Sequence, residues 1–141
     1  MSLDSLHVYV QSQELSDRVA QIVKQWNVFD QRTLGSQLVR AADSVSNNIA
    51  EGYGRSAMGE KLQFCLYSLG SALETRNCLK RAQSRGLMQP EQSRDLANLC
   101  YSIYRSALKL AYVQLSRDSS YNGPLRALVM ERWERLSKRK P

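Results

Sequence analysis

Apolar residues recur at steps of three and four through every substantial segment of this chain, and no sustained strand alternation interrupts them. That period predicts amphipathic helices throughout. Leu15, Val19, Ile22 and Trp26 form one stripe, for a first helix from about Leu6 to Gln25, and Asn27, Asp30 and Gly35 follow as turn signals. Leu34, Leu38, Ala41, Val45 and Ile49 mark a second helix that ends at Gly52 or Gly54, where a left-handed cap costs glycine little. A third helix runs from about Ala57 to Arg85, carrying Leu62, Leu66, Leu69, Leu73 and Leu79, with Gly86 as its stop. Gln89-Pro90-Glu91 opens a fourth, since proline suits the first helical position and an acid suits the positive end of the helix dipole. Its face is Leu96, Leu99, Ile103, Ala107 and Leu110, and it fades by Arg117. After a polar break from Asp118 to Gly123, Pro124 starts a short fifth helix with Leu125, Leu128, Val129, Trp133 and Leu136.

Four long amphipathic helices on short turns bury their stripes most simply by packing side by side. The expectation is an all-α chain: an antiparallel up-down four-helix bundle over residues 1–117, then a C-terminal extension, 118–141, with a short basic helix. Gly70 lies inside the third helical pattern, where glycine costs about 1 kcal/mol relative to alanine, so a neighbouring helix is expected to approach closely there. Trp133 is too large for so small an appendage to cover, which predicts packing on a neighbouring subunit. No apolar run reaches the roughly 20 residues a membrane span needs, and the first residues lack a leader pattern, so a cytoplasmic protein with no membrane partner is expected.

Twenty Lys and Arg stand against 13 Asp and Glu, a net charge of +7 that favours an anionic partner. The cations are unevenly placed. Arg76, Lys80, Arg81 and Arg85 gather at the end of the third helix, and Arg126, Arg132, Arg135, Lys138, Arg139 and Lys140 crowd the C-terminus. Lys80, Arg81, Arg85, Arg105, Lys109, Arg135, Lys138, Arg139 and Lys140 are the candidate phosphate contacts. Tyr101, Tyr104, Tyr112 and Tyr121 interleave with Arg105 and Lys109, a pattern that serves either base stacking or core packing.

Catalytic chemistry finds little to work with. His7 is the single histidine, Gly52-Tyr53-Gly54 lacks the lysine and hydroxyl of a phosphate loop, and Asp4-x-x-His7 is an isolated match that cannot supply a two-metal site. Cys65, Cys78 and Cys100 are odd in number and far apart, and read as reduced thiols serving as small hydrophobes. The expectation is a non-enzymatic protein without metal or cofactor.

One segment resists the plain-helix reading. Ser46-Asn47-Asn48-Ile49-Ala50-Glu51-Gly52-Tyr53-Gly54-Arg55 ends a helix with more polar groups than a terminus requires. Asn48 and Glu51 share a face beside Val45 and Ile49, where polar groups destabilise unless hydrogen-bonded. They are expected to bond the capping turn at Gly52 and Gly54, or Arg40 and Arg55; the alternative is a polar pocket or subunit contact. Gly70-Ser71-Ala72-Leu73-Glu74 is a second such place, with Glu74 within reach of Arg40 or Arg55. A small-molecule or metal site near Asn48, Glu51 and Glu74 is a further alternative.

These two segments, with the run from Gln37 to Arg55 and then Leu69 to Thr75, resemble the bacterial four-helix-bundle proteins encoded in intervening sequences of large-subunit ribosomal RNA genes. The family is also similar to the accessory variability determinant of diversity-generating retroelements, which partners a reverse transcriptase and binds nucleic acid. The resemblance covers about Leu6 to Arg117. It implies an antiparallel four-helix bundle assembled as a ring-shaped homo-oligomer, a homopentamer, with a basic surface. Arg40, Asn48, Glu51, Gly52, Arg55, Gly70, Ser71 and Glu74 carry over as signature positions without catalytic roles. Family members often have proline where this chain has Ser46, which bears on a kink there. Two functions follow as expectations: binding of structured RNA or DNA, or a scaffold that docks a nucleic-acid-processing protein.

Overall fold

A computed structural model of the chain describes residues 2–139, and every regular element among them is helical. After a single 3-10 turn at Leu3–Ser5 come α1, His7–Lys24, and the one-turn α2, Val28–Asp30. A widened π-turn, Gln31–Gly35, joins α2 directly to α3, Ser36–Tyr53. Then follow α4, Met58–Ser84; α5, Pro90–Arg117; and α6, Leu125–Ser137. No helix among the described residues is long and apolar enough to cross a membrane.

The ends of these helices have local causes. Asn27 caps α2 by accepting the Asp30 N–H on its side-chain oxygen at 3.0 Å. The other two expected turn residues lie inside the helix. At Gly35 a Cβ would sit 2.7 Å from Val23 Cγ1 and 2.9 Å from the Asp30 carbonyl oxygen, so this glycine lets α1 and α3 meet rather than turning the chain. The end of α3 also differs from expectation: Gly54 is right-handed, at φ −79°, not left-handed. Gly86 does take the left-handed conformation after α4, at φ 73°. There the Leu87 N–H donates to the Ala82 carbonyl at 2.8 Å and the Gly86 N–H to that of Gln83 at 3.0 Å, which occupies two carbonyls the helix would leave orphaned. Pro90 occupies the first position of α5. α3 continues through Ser46, whose hydroxyl donates to the Asp43 carbonyl at 3.2 Å.

α1 packs against α3 and α5, and α4 packs against the same two helices. Leu15, Val19, Leu38, Val45, Leu62, Leu69, Leu79, Leu96, Ile103 and Leu108 are essentially excluded from solvent in the resulting core. Each such side chain contributes about 1.5–3 kcal/mol on burial. Buried hydroxyls cross between helices without loss: Ser16 donates to the Ala42 carbonyl at 3.0 Å and Ser93 to that of Leu79 at 3.3 Å. Along α4 and α5 the paired numbers run oppositely, with Cys65 meeting Ala107 and Leu79 meeting Ser93. α6 folds back on α5 and α4, and its Val129 and Leu136 join the same core.

Two packing expectations need correction. Leu73 is 52% exposed; Ala72 and Thr75 take the inward positions beside it. Gly70 is exposed, with nothing within 4 Å of a Cβ built on it, so no helix of this chain exploits its small size. The close approach occurs instead at Gly52, where a Cβ would lie 3.1 Å from Phe64 Cβ. Trp133 stacks on Tyr112 with ring centroids 5.4 Å apart and is partly buried against the core.

Candidate nucleic-acid interface

The polar corner at the end of α3 is a structural joint. Asn48 donates from its side-chain amide to the Ser44 carbonyl at 2.8 Å and to the Ser44 hydroxyl at 3.1 Å, and Ser71 of α4 donates to that same hydroxyl at 3.0 Å. This chain of bonds ties α3 to α4, in place of the expected bond from Asn48 to the capping turn. Glu51 does pair with Arg55, as expected, and the Arg55 guanidinium lies 5.1 Å from the centre of the Phe64 ring on α4. Glu74 makes no ion pair among the described residues, and Arg40 donates to the Ser36 hydroxyl at 3.1 Å, so the anticipated bridge between Glu74 and either arginine is not formed. Glu51 and Glu74 are both exposed and do not converge with Asn48 on one cavity; no three His, Cys, Asp or Glu side chains cluster as metal ligands among the described residues.

The cations are organised on the other side of α4. Arg76 and Lys80 follow Leu73 along one face of α4, and Arg105 and Lys109 follow Tyr101 in four-residue steps along α5. Arg132 and Arg135 lie on α6, and Arg139 lies two residues past its end. Where the three helices meet, a half-open cleft of about 370 Å³ brings Arg76 together with Arg132, Arg135 and Arg139. Tyr101 and Tyr104 also line it, over an apolar floor that includes Ala72, Leu73 and Leu136. Arg135 pairs with Glu131 one turn earlier; among the described residues no carboxylate lies within ion-pair distance of the other three arginines.

Of the candidate phosphate contacts, Arg135 and Arg139 therefore meet in the cleft. Lys80, Arg81, Arg85, Arg105, Lys109 and Lys138 stand exposed outside it, and Lys140 lies outside the described residues. Arg76 and Arg132 are legible in the sequence as members of two charge clusters but not as partners across them. The step of three and four that joins Arg132, Arg135 and Arg139 is the available signal. The tyrosines divide in the same way: Tyr101 and Tyr104 face the cleft, Tyr112 stacks on Trp133, and Tyr121 packs against the core. Arg126 serves the loop before α6, donating to the carbonyls of Tyr121, at 2.7 Å, and Asp118. The Ser120 hydroxyl and N–H on the Asp118 carboxylate, with lesser help from Arg126, hold that carboxyl below its ordinary range.

Burial pushes the Cys100 thiol at the cleft up to about 12, against the opposing pull of Arg76. It does the same to Cys65, also to about 12, with Arg132 opposing. Both are protonated at neutral pH, and such thiols are poor nucleophiles. Charge, aromatic faces and an apolar floor suit the cleft to binding an anion.

Residues 4–108 match the family described as 23S rRNA-intervening sequence protein. The chain belongs to that family. No curated protein matches it. It is similar to a crystal structure from Bacteroides thetaiotaomicron VPI-5482, of a protein with unknown function from the S23 ribosomal protein family. The two share 19% identity at a TM-score of 0.67, over 74% of this chain and 97% of the other. At that identity the likeness concerns the fold. The family match covers α1 to most of α5 and stops before α6, so three of the four cleft arginines come from outside it.

Proposed function

We propose that this chain is a non-enzymatic, homo-oligomeric helical bundle of the cytoplasm that binds structured RNA or DNA through the basic side of α4, α5 and α6. The observation that carries this reading is the cleft that brings Arg76 of α4 together with Arg132, Arg135 and Arg139, of which Arg135 alone has an ion-pair partner among the described residues. Unpaired arginines grouped in this way suit phosphate, whose oxygens match the guanidinium fork. The buried, protonated thiols and the exposed position of His7 at the start of α1 favour binding over catalysis. The opposed numbering between helix pairs supports reading the four long helices as an antiparallel up-down bundle. The resemblance of the family to the accessory variability determinant of diversity-generating retroelements leans the same way.

Self-association into a ring, taken as a pentamer, is supported by apolar surface that this chain leaves uncovered. Phe29 is 72% exposed and Val28 58%, and on α4 the open Gly70 lies one turn from the exposed Tyr67. The same exposed corner at Val28 and Phe29 supports the second reading, a scaffold that docks a nucleic-acid-processing protein.

The deciding experiment measures binding of purified, nuclease-treated protein to structured ribosomal RNA at several salt concentrations. Tight binding that weakens steeply with salt is expected. Absence of binding, together with a stoichiometric protein partner in a pull-down, would favour the scaffold.

A further inference from the structure

The cleft beneath α6 has two chemistries that a simple phosphate site does not need. Arg76, Arg132, Arg135 and Arg139 supply charge, while Tyr101 and the Leu73–Leu136 floor offer apolar and aromatic surface between them. Its volume of about 370 Å³ falls in the range of small-ligand sites, about 300–1,000 Å³, and so admits one flat group rather than a duplex. Tyr101 is half exposed at the opening, where a second ring can lie on it.

We propose that the cleft holds one unpaired nucleotide of a bound strand, its base against Tyr101 over the apolar floor and its phosphates on the arginines. The inference rests on the nucleic-acid reading above and adds to it a preference for nucleic acid with an unstacked residue. A base of any identity presents a π-face, so the site selects unpaired nucleotides without reading their sequence. Arginine suits the phosphate side because its planar fork donates two parallel hydrogen bonds to phosphate oxygens. Crowded like charges also repel in the empty cleft, and an entering phosphate relieves that repulsion.

The test compares two labelled RNAs bound to the full chain: a hairpin with an unpaired loop, and a blunt duplex of the same stem. Tyr101→Ala is expected to weaken binding of the hairpin about tenfold and leave the duplex unchanged, while Tyr101→Phe retains hairpin binding. Arg81→Gln, on the exposed surface outside the cleft, is expected to weaken both RNAs alike. Adenosine monophosphate should displace the hairpin at concentrations where inorganic phosphate does not. Equal loss on both RNAs with Tyr101→Ala, no loss on either, or equal competition by phosphate each overturns the nucleotide site while nucleic-acid binding stands. Binding of neither RNA by the unaltered chain overturns both.

Discussion

Two glycines among the signature positions have opposite surroundings. Gly52 is buried against Phe64, so Gly52→Val should force the α3–α4 corner apart and destabilise the fold by about 1–3 kcal/mol, read as a lower denaturation midpoint. Gly70 faces open space mid-helix, so Gly70→Ala should stabilise an isolated chain by about 0.5–1 kcal/mol. Gly70→Arg separates folding from assembly: if this face joins subunits, sedimentation velocity should show loss of self-association while the helical circular-dichroism signal is retained and the melting temperature loses its dependence on protein concentration. The corner is legible as a joint because Asn48, Glu51 and Arg55 exceed what a helix end needs. Its partners are not. Ser71 and Phe64 come from the next helix, and their register against α3 is a tertiary fact that one-dimensional spacing does not carry.

At the scale of elements, the helices are legible wherever one stripe of apolar residues stands out. α4 is harder, because Leu66, Leu69 and Leu73 surround its axis and a step of three or four fits either way; Leu73 falls outward. The join before α3 escapes a sequence reading because Gly35 and Asp30 resemble loop residues, when the glycine is required by Val23 passing beside it. The α4–α5 seam has its own pH response. Cys65 and Cys100 both sit there with thiols pushed up to about 12, above the value of 9.0 for a free thiol. A raised folded value favours the protonated form, so this contribution is complete below about pH 9 and is lost as pH rises toward 12. Denaturation midpoints should therefore fall between pH 8 and pH 10 by more in the unaltered chain than in a Cys65→Ala/Cys100→Ala variant.

For the whole molecule, the segment after α5 adds both core packing and positive charge to the bundle. Val129 and Leu136 are buried by it and Trp133 stacks on Tyr112, so removing residues 118–141 should cost several kcal/mol, at about 1.5–3 kcal/mol per buried side chain, seen in thermal melts. Replacing Arg135, Lys138, Arg139 and Lys140 with alanine retains most of that packing. It should instead flatten the salt dependence of RNA binding, by about one unit of slope for each phosphate no longer neutralised. An unchanged slope would remove the C-terminal cations from the interface. The charge clusters are legible from the sequence, but the cleft is not: α4 and α6 are separated by the whole of α5, and only folding sets Arg76 opposite Arg139.

The contact between α1 and α5 has a kinetic meaning. α1 meets α3, α3 meets α4, and α4 meets α5 across short connections, whereas α1 meets α5 across the whole of the intervening chain. Closing that long loop is entropically late, which makes the α1–α5 seam the last contact to form. Val8→Ala on α1, beside Ala107 and Ala111 of α5, should then accelerate unfolding and leave the refolding rate nearly unchanged in stopped-flow traces, while Leu69→Ala on α4 slows refolding.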